Sequence, residues 1–333
     1  MSAPLADARV AGYPRFLGKT QLTGLLRAAV RSLFMPLAGI IVFMFVWHTA
    51  AQRIDTSLGK FPGPAEVWLQ TKNLFAEYRA ERVEEAAFYA RQKERNAEKL
   101  ARDPNAEVRI RPYTGKETFI DQIGTSLVTV MTGFLLASAI AIPLGILIGL
   151  SPTLYSAVNP LIQLFKPISP LAWLPLVTMV VSAVYVTDNP MFAKSFINSM
   201  LTVLLCCLWP TIINTAVGVA AISQDLLNVS KVLRLGFWTH VWKIVLPSSL
   251  PMMFTGLRLS LGIAWMVLIA AEMLAQNPGL GKFVWDEFQN GSSSSLGRIM
   301  VAVLVIGLIG FLLDRGMLLL QRFASWDKSA VLR

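Results

Sequence analysis

The sequence predicts an all-α polytopic membrane protein with about six transmembrane helices, and three observations support that fold class. Hydrophobic residues make up 54% of the 333-residue chain and charged residues only 15%, unlike the composition of average soluble domains. The apolar residues occur in long uncharged blocks, and a helix needs roughly 20 of them to cross a bilayer. Lysine and arginine cluster beside the first and last blocks, as expected for cytoplasmic flanks.

The apolar blocks define the predicted spans. They are residues 33–51, 125–150, 159–186, 196–221, 254–276 and 299–320. The third is the least regular because it contains four prolines and Lys166, and prolines remove backbone donors and kink helices. We therefore expect the third span to be broken.

Charge predicts the orientation of the chain. Five basic residues precede the first span, and four lie between residue 315 and the end of the chain. We therefore predict that both termini are cytoplasmic. With six crossings, residues 222–253 then form a cytoplasmic loop and residues 52–118 lie outside. Residues 1–32 are predicted as a cytoplasmic tail with an amphipathic helix on the membrane surface, and residues 324–333 as a second tail.

The outside segment, residues 52–118, is predicted as a charged helical arm. Strong helix formers fill residues 76–102, Glu98 precedes Arg102 by one helical turn, and Asp103 and Pro104 end the helix. Two interpretations stay open: a solvated hairpin or spacer, and a docking arm for an external partner.

The sequence does not favour an enzyme. It contains no cluster of metal-ligand spacing, no phosphate-binding glycine loop and no nucleophile motif, so we expect no catalytic residue and no metal site. Cys206 and Cys207 are adjacent and therefore poorly placed for a structural disulfide. The net charge of +10 is spread over membrane flanks, where anionic lipid explains it better than nucleic acid.

Residues 228–251, NVSKVLRLGFWTHVWKIVLPSSLP, form a basic amphipathic island between two apolar spans. This island resembles the cytoplasmic coupling loop of bacterial ABC importer permeases, which reads E-A-A, three residues, G, and then I-x-L-P. The residues from Ile244 to Pro247 match the tail of that motif. Asn228 stands where the motif begins with glutamate, and Arg234 stands at its glycine.

The departures from the motif fit a narrower group, the permeases of nitrate, nitrite, cyanate and bicarbonate importers, which are close to those for taurine and alkanesulfonates. Other stretches of the chain are similar to the same group. They are FPGPAEVW (61–68), KPISPLAWLPL (166–176), WPTIINTAVGV (209–219), TGLRLSLGIAWMVLIAAEML (255–274) and GLGKFVWDEFQN (279–290). The resemblance covers most of the chain from about residue 120 onward.

The resemblance implies a type I ABC importer permease fold, with a core domain at residues 119–323, in a bacterial inner membrane. It implies a homodimer seated on cytoplasmic ABC ATPase subunits and served by a periplasmic substrate-binding protein. ATP and Mg²⁺ would be bound by the ATPase, so no cofactor is expected in this chain. The expected cargo is a small anion, nitrate or nitrite before bicarbonate or cyanate. Two alternatives remain: a taurine or alkanesulfonate permease, and an ATP-independent anion channel or ion-coupled carrier.

The resemblance also implies a set of ATPase-coupling residues, with a short helix expected within residues 226–238. An interfacial helix that lies on lipid is the alternative. The coupling residues are Asn228, Lys231, Leu233, Arg234, Leu235, Gly236, Phe237, Trp238 and Pro247.

Three charged residues near the membrane are candidates for the substrate path, since intramembrane charges tend to face a cavity or a partner. Lys166 is the preferred one because the broken span around it frees backbone groups that suit a wet cavity. Arg258 could instead extend its side chain to the inner membrane surface, a behaviour called snorkelling. Glu272 could instead pair with a neighbouring helix.

Overall fold

The computed structural model describes residues 34–56, 59–105, 107–187, 190–292 and 294–324. The predicted N-terminal tail and its amphipathic helix lie outside the described residues, as does the C-terminal tail after Ala324. The chain divides into two compact units, residues 1–64 and 65–333.

In the first unit, helix α1 (Met35–Ala51) occupies the first predicted span. Its 17 residues are at the short end of what crosses a bilayer. A two-stranded antiparallel hairpin follows, formed by β1 (Asp55–Thr56) and β2 (Gly59–Lys60). The buried indole of Trp47 donates a hydrogen bond to the carbonyl of Pro62 over 3.1 Å, which ties the end of α1 to the segment beyond the hairpin.

The second unit is helical throughout its regular structure. Its helices are α2 (Pro64–Arg102), α3 (Phe119–Leu150), α4 (Pro152–Phe165), α5 (Pro170–Val184), α6 (Lys194–Ala220), α7 (Gln224–Val232), α8 (Phe237–His240), α9 (Leu246–Ala275), α10 (Leu280–Asn290) and α11 (Ser295–Ala324), with a π-helical turn at Val241–Val245 between α8 and α9. Among the described residues, four helical stretches are long and apolar enough to cross a membrane: α3, α6, Phe237–Ala275 and α11. Each predicted span from the second to the sixth therefore contains helix.

The break predicted in the third span is confirmed. Helices α4 and α5 meet at an angle of 99°, and Ser169 caps the second of them by accepting a hydrogen bond from the backbone N–H of Leu171. Pro167 and Pro170 flank this cap, so neither helix can extend through the corner. The pair forms either one broken span or a re-entrant loop.

Much of the cytoplasmic loop predicted at residues 222–253 is helical in the structure. Helix resumes at Phe237 and continues through the π-helical turn to Ala275. Pro247 lies just after the π-helical turn Val241–Val245 and does not end the helix. Only residues 221–236 separate α6 from this long helix.

The core of the second unit forms where α6 packs along both α3 and α9. Gly145 and Gly149 on α3 allow the closest approach: a Cβ at Gly145 would lie 2.6 Å from Cβ of Thr215, and one at Gly149 would lie 2.6 Å from the carbonyl oxygen of Ala216. This is the small-residue packing that brings membrane helices together. It fixes α3 and α6 as one rigid pair.

The charged arm is confirmed as a helix that ends at Arg102. The chain returns along it in extended form, held where the side chain of buried Gln92 donates to the carbonyl of Arg111 and accepts from its N–H, at 2.9 and 2.8 Å. The arm is also bound to the core, because Arg82 pairs with Asp121 on α3 at 3.1 Å and Glu77 pairs with Arg298 on α11 at 2.7 Å. It is therefore more than a freely solvated spacer.

Candidate coupling surface and intramembrane charges

The short helix expected within residues 226–238 is α7, which begins two residues before that range, at Gln224, and ends at Val232. The chain leaves the helix through Arg234, whose φ of +48° lies in the left-handed region. Leu235 N–H then donates to the carbonyl of Ser230 over 3.1 Å. Glycine adopts this conformation without a Cβ penalty, which explains why the common motif has glycine at this position. Arg234 holds the same backbone conformation with some local strain.

A hydrogen bond that sequence reasoning missed joins the two sides of this turn. The buried hydroxyl of Ser230 on α7 lies 2.7 Å from Nδ1 of His240 on α8. The bond ties α7 to the start of the long helix.

The turn presents apolar side chains on its outer face. The exposed fractions are 81% for Val232, 63% for Leu233 and 72% for Trp238, and Phe237 and Trp242 are also more than half exposed. We name these five residues the coupling surface. Val232 and Trp242 were missed by sequence reasoning, although their hydrophobicity in a basic segment was a usable signal.

The inner face of the same segment is buried. Val241, Ile244 and Val245 form a cluster with Ile146 and Val219 of the helix pair. The predicted anchor Leu235 packs against this cluster instead of facing outward, so it supports the segment from within. The other predicted coupling residues, Asn228, Lys231, Gly236 and Pro247, are exposed.

Lys166 is the C-cap residue of α4 and lies at the corner between α4 and α5. It is exposed, and it forms no ion pair with any residue that the structure describes. Beside the corner, the ring of Phe165 stacks on Trp209 of α6 at a centroid distance of 5.9 Å. The lysine thus stands on a fixed corner with a free ammonium group.

Arg258 is paired. Its guanidinium donates two hydrogen bonds to the carboxylate of Asp314 on α11, at 2.5 and 3.0 Å. This bidentate geometry is the strong form of such a pair, and it reduces the cost of placing both charges on membrane helices.

Glu272 is fully buried and acts as a junction between helices. Its carboxylate accepts from the hydroxyl of Ser126 on α3 at 2.8 and 2.9 Å, and from the N–H of Gly281 on α10 at 3.0 Å. The Ser126 oxygen in turn accepts from Leu280 N–H at 2.8 Å. Two of the unpaired N–H groups at the start of α10 are satisfied in this way. Lys166, Arg258 and Glu272 therefore occupy three separate settings and do not converge on one site.

The arm and the core enclose a cavity of about 610 Å³. Its walls carry five carboxylates and two basic groups, from Glu77, Glu81, Glu117, Asp286 and Glu287 and from Lys116 and Arg298. Burial, and secondarily the charge of Asp121, raises the pKa of Glu117 above its usual value. Within the described ranges no group of three or more His, Cys, Asp or Glu side chains could hold a metal ion.

The long apolar helices and the broken helix pair together indicate a multi-pass membrane protein. Residues 141–325 match the sequence profile of the family described as binding-protein-dependent transport system inner membrane component. The chain belongs to this family.

Three curated relatives share sequence with the chain. The bicarbonate transport system permease protein of Synechococcus elongatus is 34% identical over 298 residues, which are 89% of this chain and 91% of the relative. The nitrate import permease protein of Leptolyngbya laminosa is 38% identical over 58% of this chain, and the match spans just under two thirds of that relative, 64%. The taurine transport system permease protein of Escherichia coli is 31% identical over 62% of this chain and 72% of the relative.

The first of these alignments is too long to be confined to residues beyond 120. The resemblance therefore extends into the N-terminal third, where the FPGPAEVW stretch at 61–68 also lies. A solved structure of the MetNI methionine ABC transporter in inward facing conformations supports the fold alone. It matches with a TM-score of 0.52 at 14% identity, over 62% of this chain and 96% of that one.

Proposed function

We propose that the chain is the permease subunit of an ATP-driven importer for a small inorganic anion, nitrate or nitrite first and bicarbonate or cyanate next. The observation that carries this proposal is family membership together with relatives named for nitrate and bicarbonate transport. The chain contributes the pathway, and separate ATPase subunits supply the energy. A taurine or alkanesulfonate cargo is the second candidate, because the taurine permease is also similar.

In this proposal the coupling surface binds the cytoplasmic ATPase. Exposed aromatic and aliphatic side chains beside basic residues are the usual anchors of a protein interface. The Ser230–His240 hydrogen bond and the buried cluster beneath it make the segment stiff enough to transmit movement to α9. A periplasmic binding protein delivers the anion, two copies of the chain form the pathway, and both termini lie in the cytoplasm.

Lys166 is our proposed contributor to the anion path. Its free ammonium group at the α4–α5 corner supports this role, since a broken helix at membrane depth requires a protein-lined or wet surrounding. We predict that Lys166→Glu abolishes uptake of the anion while the transporter still assembles, as judged by co-purification of all subunits. Uptake at the wild-type rate would contradict the assignment. Arg258 and Glu272 remain predictions for the path, although the structure gives each of them a partner.

The experiment that tests the function is uptake of labelled nitrate, bicarbonate and taurine into cells that express the whole transporter and lack their own. Nitrate uptake that stops when the partner ATPase carries an inactivating substitution is the expected result. Uptake of taurine alone would instead assign the chain to the taurine and alkanesulfonate permeases. Anion uptake that persists with the inactive ATPase would instead indicate a channel or an ion-coupled carrier.

A further inference from the structure

A groove of about 750 Å³ lies between α9 and α11. Its lining changes along its length. On α9 the wall runs from Thr255 and Arg258 at one end to Gly262, Ile263 and Met266 at the other. The groove is therefore polar at the end near the C terminus of α11 and apolar at the opposite end.

The polar end carries uncompensated positive charge. Three arginines and one carboxylate line it, and the carboxylate of Asp314 is engaged by Arg258. Arg315 lies over the ring of Phe311 at 5.0 Å, which leaves its charge unneutralised. Within the described part of the chain, neither Arg315 nor Arg322 forms an ion pair. Two cations thus remain available to a ligand.

The level of these arginines in the membrane follows from helix geometry. With a rise of about 1.5 Å per residue, Arg315 lies roughly 30 Å along α11 from Ser295, and Arg322 about 10 Å farther. The hydrocarbon core of a bilayer is about 30 Å thick. If α11 enters the core near its first turn, both arginines lie at the far boundary, where lipid phosphates lie, and the apolar part of the groove lies within the hydrocarbon.

We propose that this groove binds an anionic phospholipid. The phosphate lies against Arg315 and Arg322, and one acyl chain runs along Leu259 and Ile263 toward Met266. Basic pockets between membrane helices on the cytoplasmic side recognise acidic headgroups in this way, and positive-inside charge places this end in the cytoplasm.

The apolar half of the groove selects a lipid over a soluble anion. Met266 is 69% exposed and Leu259 53% exposed, so both require an apolar neighbour that a free anion does not supply. A Cβ built on Gly262 meets no heavy atom within 4 Å, which leaves room for a methylene chain. The site does not depend on the cargo of the transporter.

Native mass spectrometry of the whole transporter, taken from vesicles of phosphatidylglycerol and phosphatidylcholine, tests the proposal. Arg315→Ala with Arg322→Ala should lower the retention of phosphatidylglycerol roughly tenfold, with no change for phosphatidylcholine. Lys194→Ala is the matched control, because it removes an exposed cation from the start of α6, outside the groove.

A second pair of variants tests the apolar half without altering charge. Gly262→Phe should fill the groove and also release phosphatidylglycerol. Gly307→Phe is its control, since Gly307 on α11 has equally open space and does not line the groove. Each comparison uses variants that assemble with their partner subunits.

Three results would overturn the proposal. The first is equal phosphatidylglycerol retention in the wild type, the double arginine variant and Gly262→Phe. The second is displacement of the lipid by water-soluble glycerol 3-phosphate at comparable concentration, which would make this a site for free anions. The third is a disulfide between two copies of a Leu318→Cys variant, absent from the wild type, which would show that a second chain covers the groove.

Discussion

Glu272 shows how one buried residue organises the junction of three helices. Its carboxylate holds Ser126 on α3 and the first turn of α10. Gly279 and Gly281 are required beside it, because a Cβ at Gly279 would overlap the Glu272 carboxylate and a Cβ at Gly281 would overlap the carbonyl of Ile269. The two glycines of the GLGK segment are thus explained by close packing of α10 against α9.

We predict that Glu272→Ala destabilises the protein by about 2–3 kcal/mol, because it leaves the Gly281 N–H and the Ser126 hydroxyl unpaired in a buried setting. Glu272→Gln should cost less, since an amide oxygen can still accept from Gly281. The midpoint of thermal unfolding in detergent measures both changes. Glu98→Ala, at an exposed position on the arm, is the control. A Glu272→Ala protein with wild-type stability and defective uptake would assign Glu272 to the anion path instead.

Tyr113 gives a second prediction at the residue scale. Its hydroxyl donates to the carboxylate of Glu81 over 2.8 Å, and this bond, aided by burial and neighbouring carboxylates, raises the pKa of Tyr113 from 10.0 to about 12. The folded state holds the proton more tightly than the unfolded chain. The resulting contribution to stability is therefore complete below pH 10 and is lost as the pH rises toward 12.

Ultraviolet titration of tyrosinate tests the Glu81 contact. Glu81→Gln should move the late-titrating tyrosine back toward pH 10, and Glu98→Gln should leave it unchanged. An unaltered titration in Glu81→Gln would show that the segment between α2 and α3 does not hold Tyr113 against α2.

At the scale of elements, the α3–α6 pair depends on the absence of side chains at two positions one helical turn apart. Gly145 and Gly149 face backbone and side-chain atoms of α6 at 2.6 Å from an added Cβ. Ile146 on α3 and Val219 on α6 also belong to the buried cluster beneath the coupling surface. Rigid packing of the helix pair therefore supports that cluster.

We predict that Gly145→Leu separates α3 from α6 and destabilises the protein by about 1–3 kcal/mol or prevents assembly. Gly307→Leu introduces the same side chain into open space on α11 and should be tolerated. Thermal unfolding and the yield of assembled transporter measure the difference. Equal behaviour of the two variants would refute the packing argument.

At the scale of the whole molecule, the coupling surface is where we propose that this chain contacts the cytoplasmic ATPase. Exposed apolar residues gather there on a segment that is clamped internally by Ser230 and His240. One continuous helical stretch runs from this surface, from Phe237 to Ala275. This arrangement suits a lever that converts ATPase closure into movement of the membrane helices.

We predict that Leu233→Asp combined with Trp238→Ala uncouples ATP hydrolysis from uptake, because it removes two apolar anchors from the interface. Vesicles containing the whole transporter should retain basal ATPase activity and lose its stimulation by substrate and binding protein. Val83→Asp, at a similarly exposed apolar position on the arm, is the matched control. Unchanged transport by the double variant would contradict the proposal that this surface binds the ATPase.

The sequence alone determined the membrane class, the helical segments and the family. Long uncharged blocks leave a chain no alternative to spanning helices, and motifs such as the one from Ile244 to Pro247 can be read without coordinates. The break near Lys166 was also predictable, since proline acts on its own helix.

Only the tertiary structure decided which side chains face each other. Leu235 and Trp238 are both apolar and three residues apart, yet one packs inward and the other points outward, because Gly236 lies between them in extended backbone, with φ −66° and ψ 160°, and a new helix begins after it. The pairing of Arg258 with Asp314, and of Glu272 with Ser126, joins residues 56 and 146 positions apart. Hydropathy and spacing describe each helix separately, whereas such pairs depend on how neighbouring helices pack.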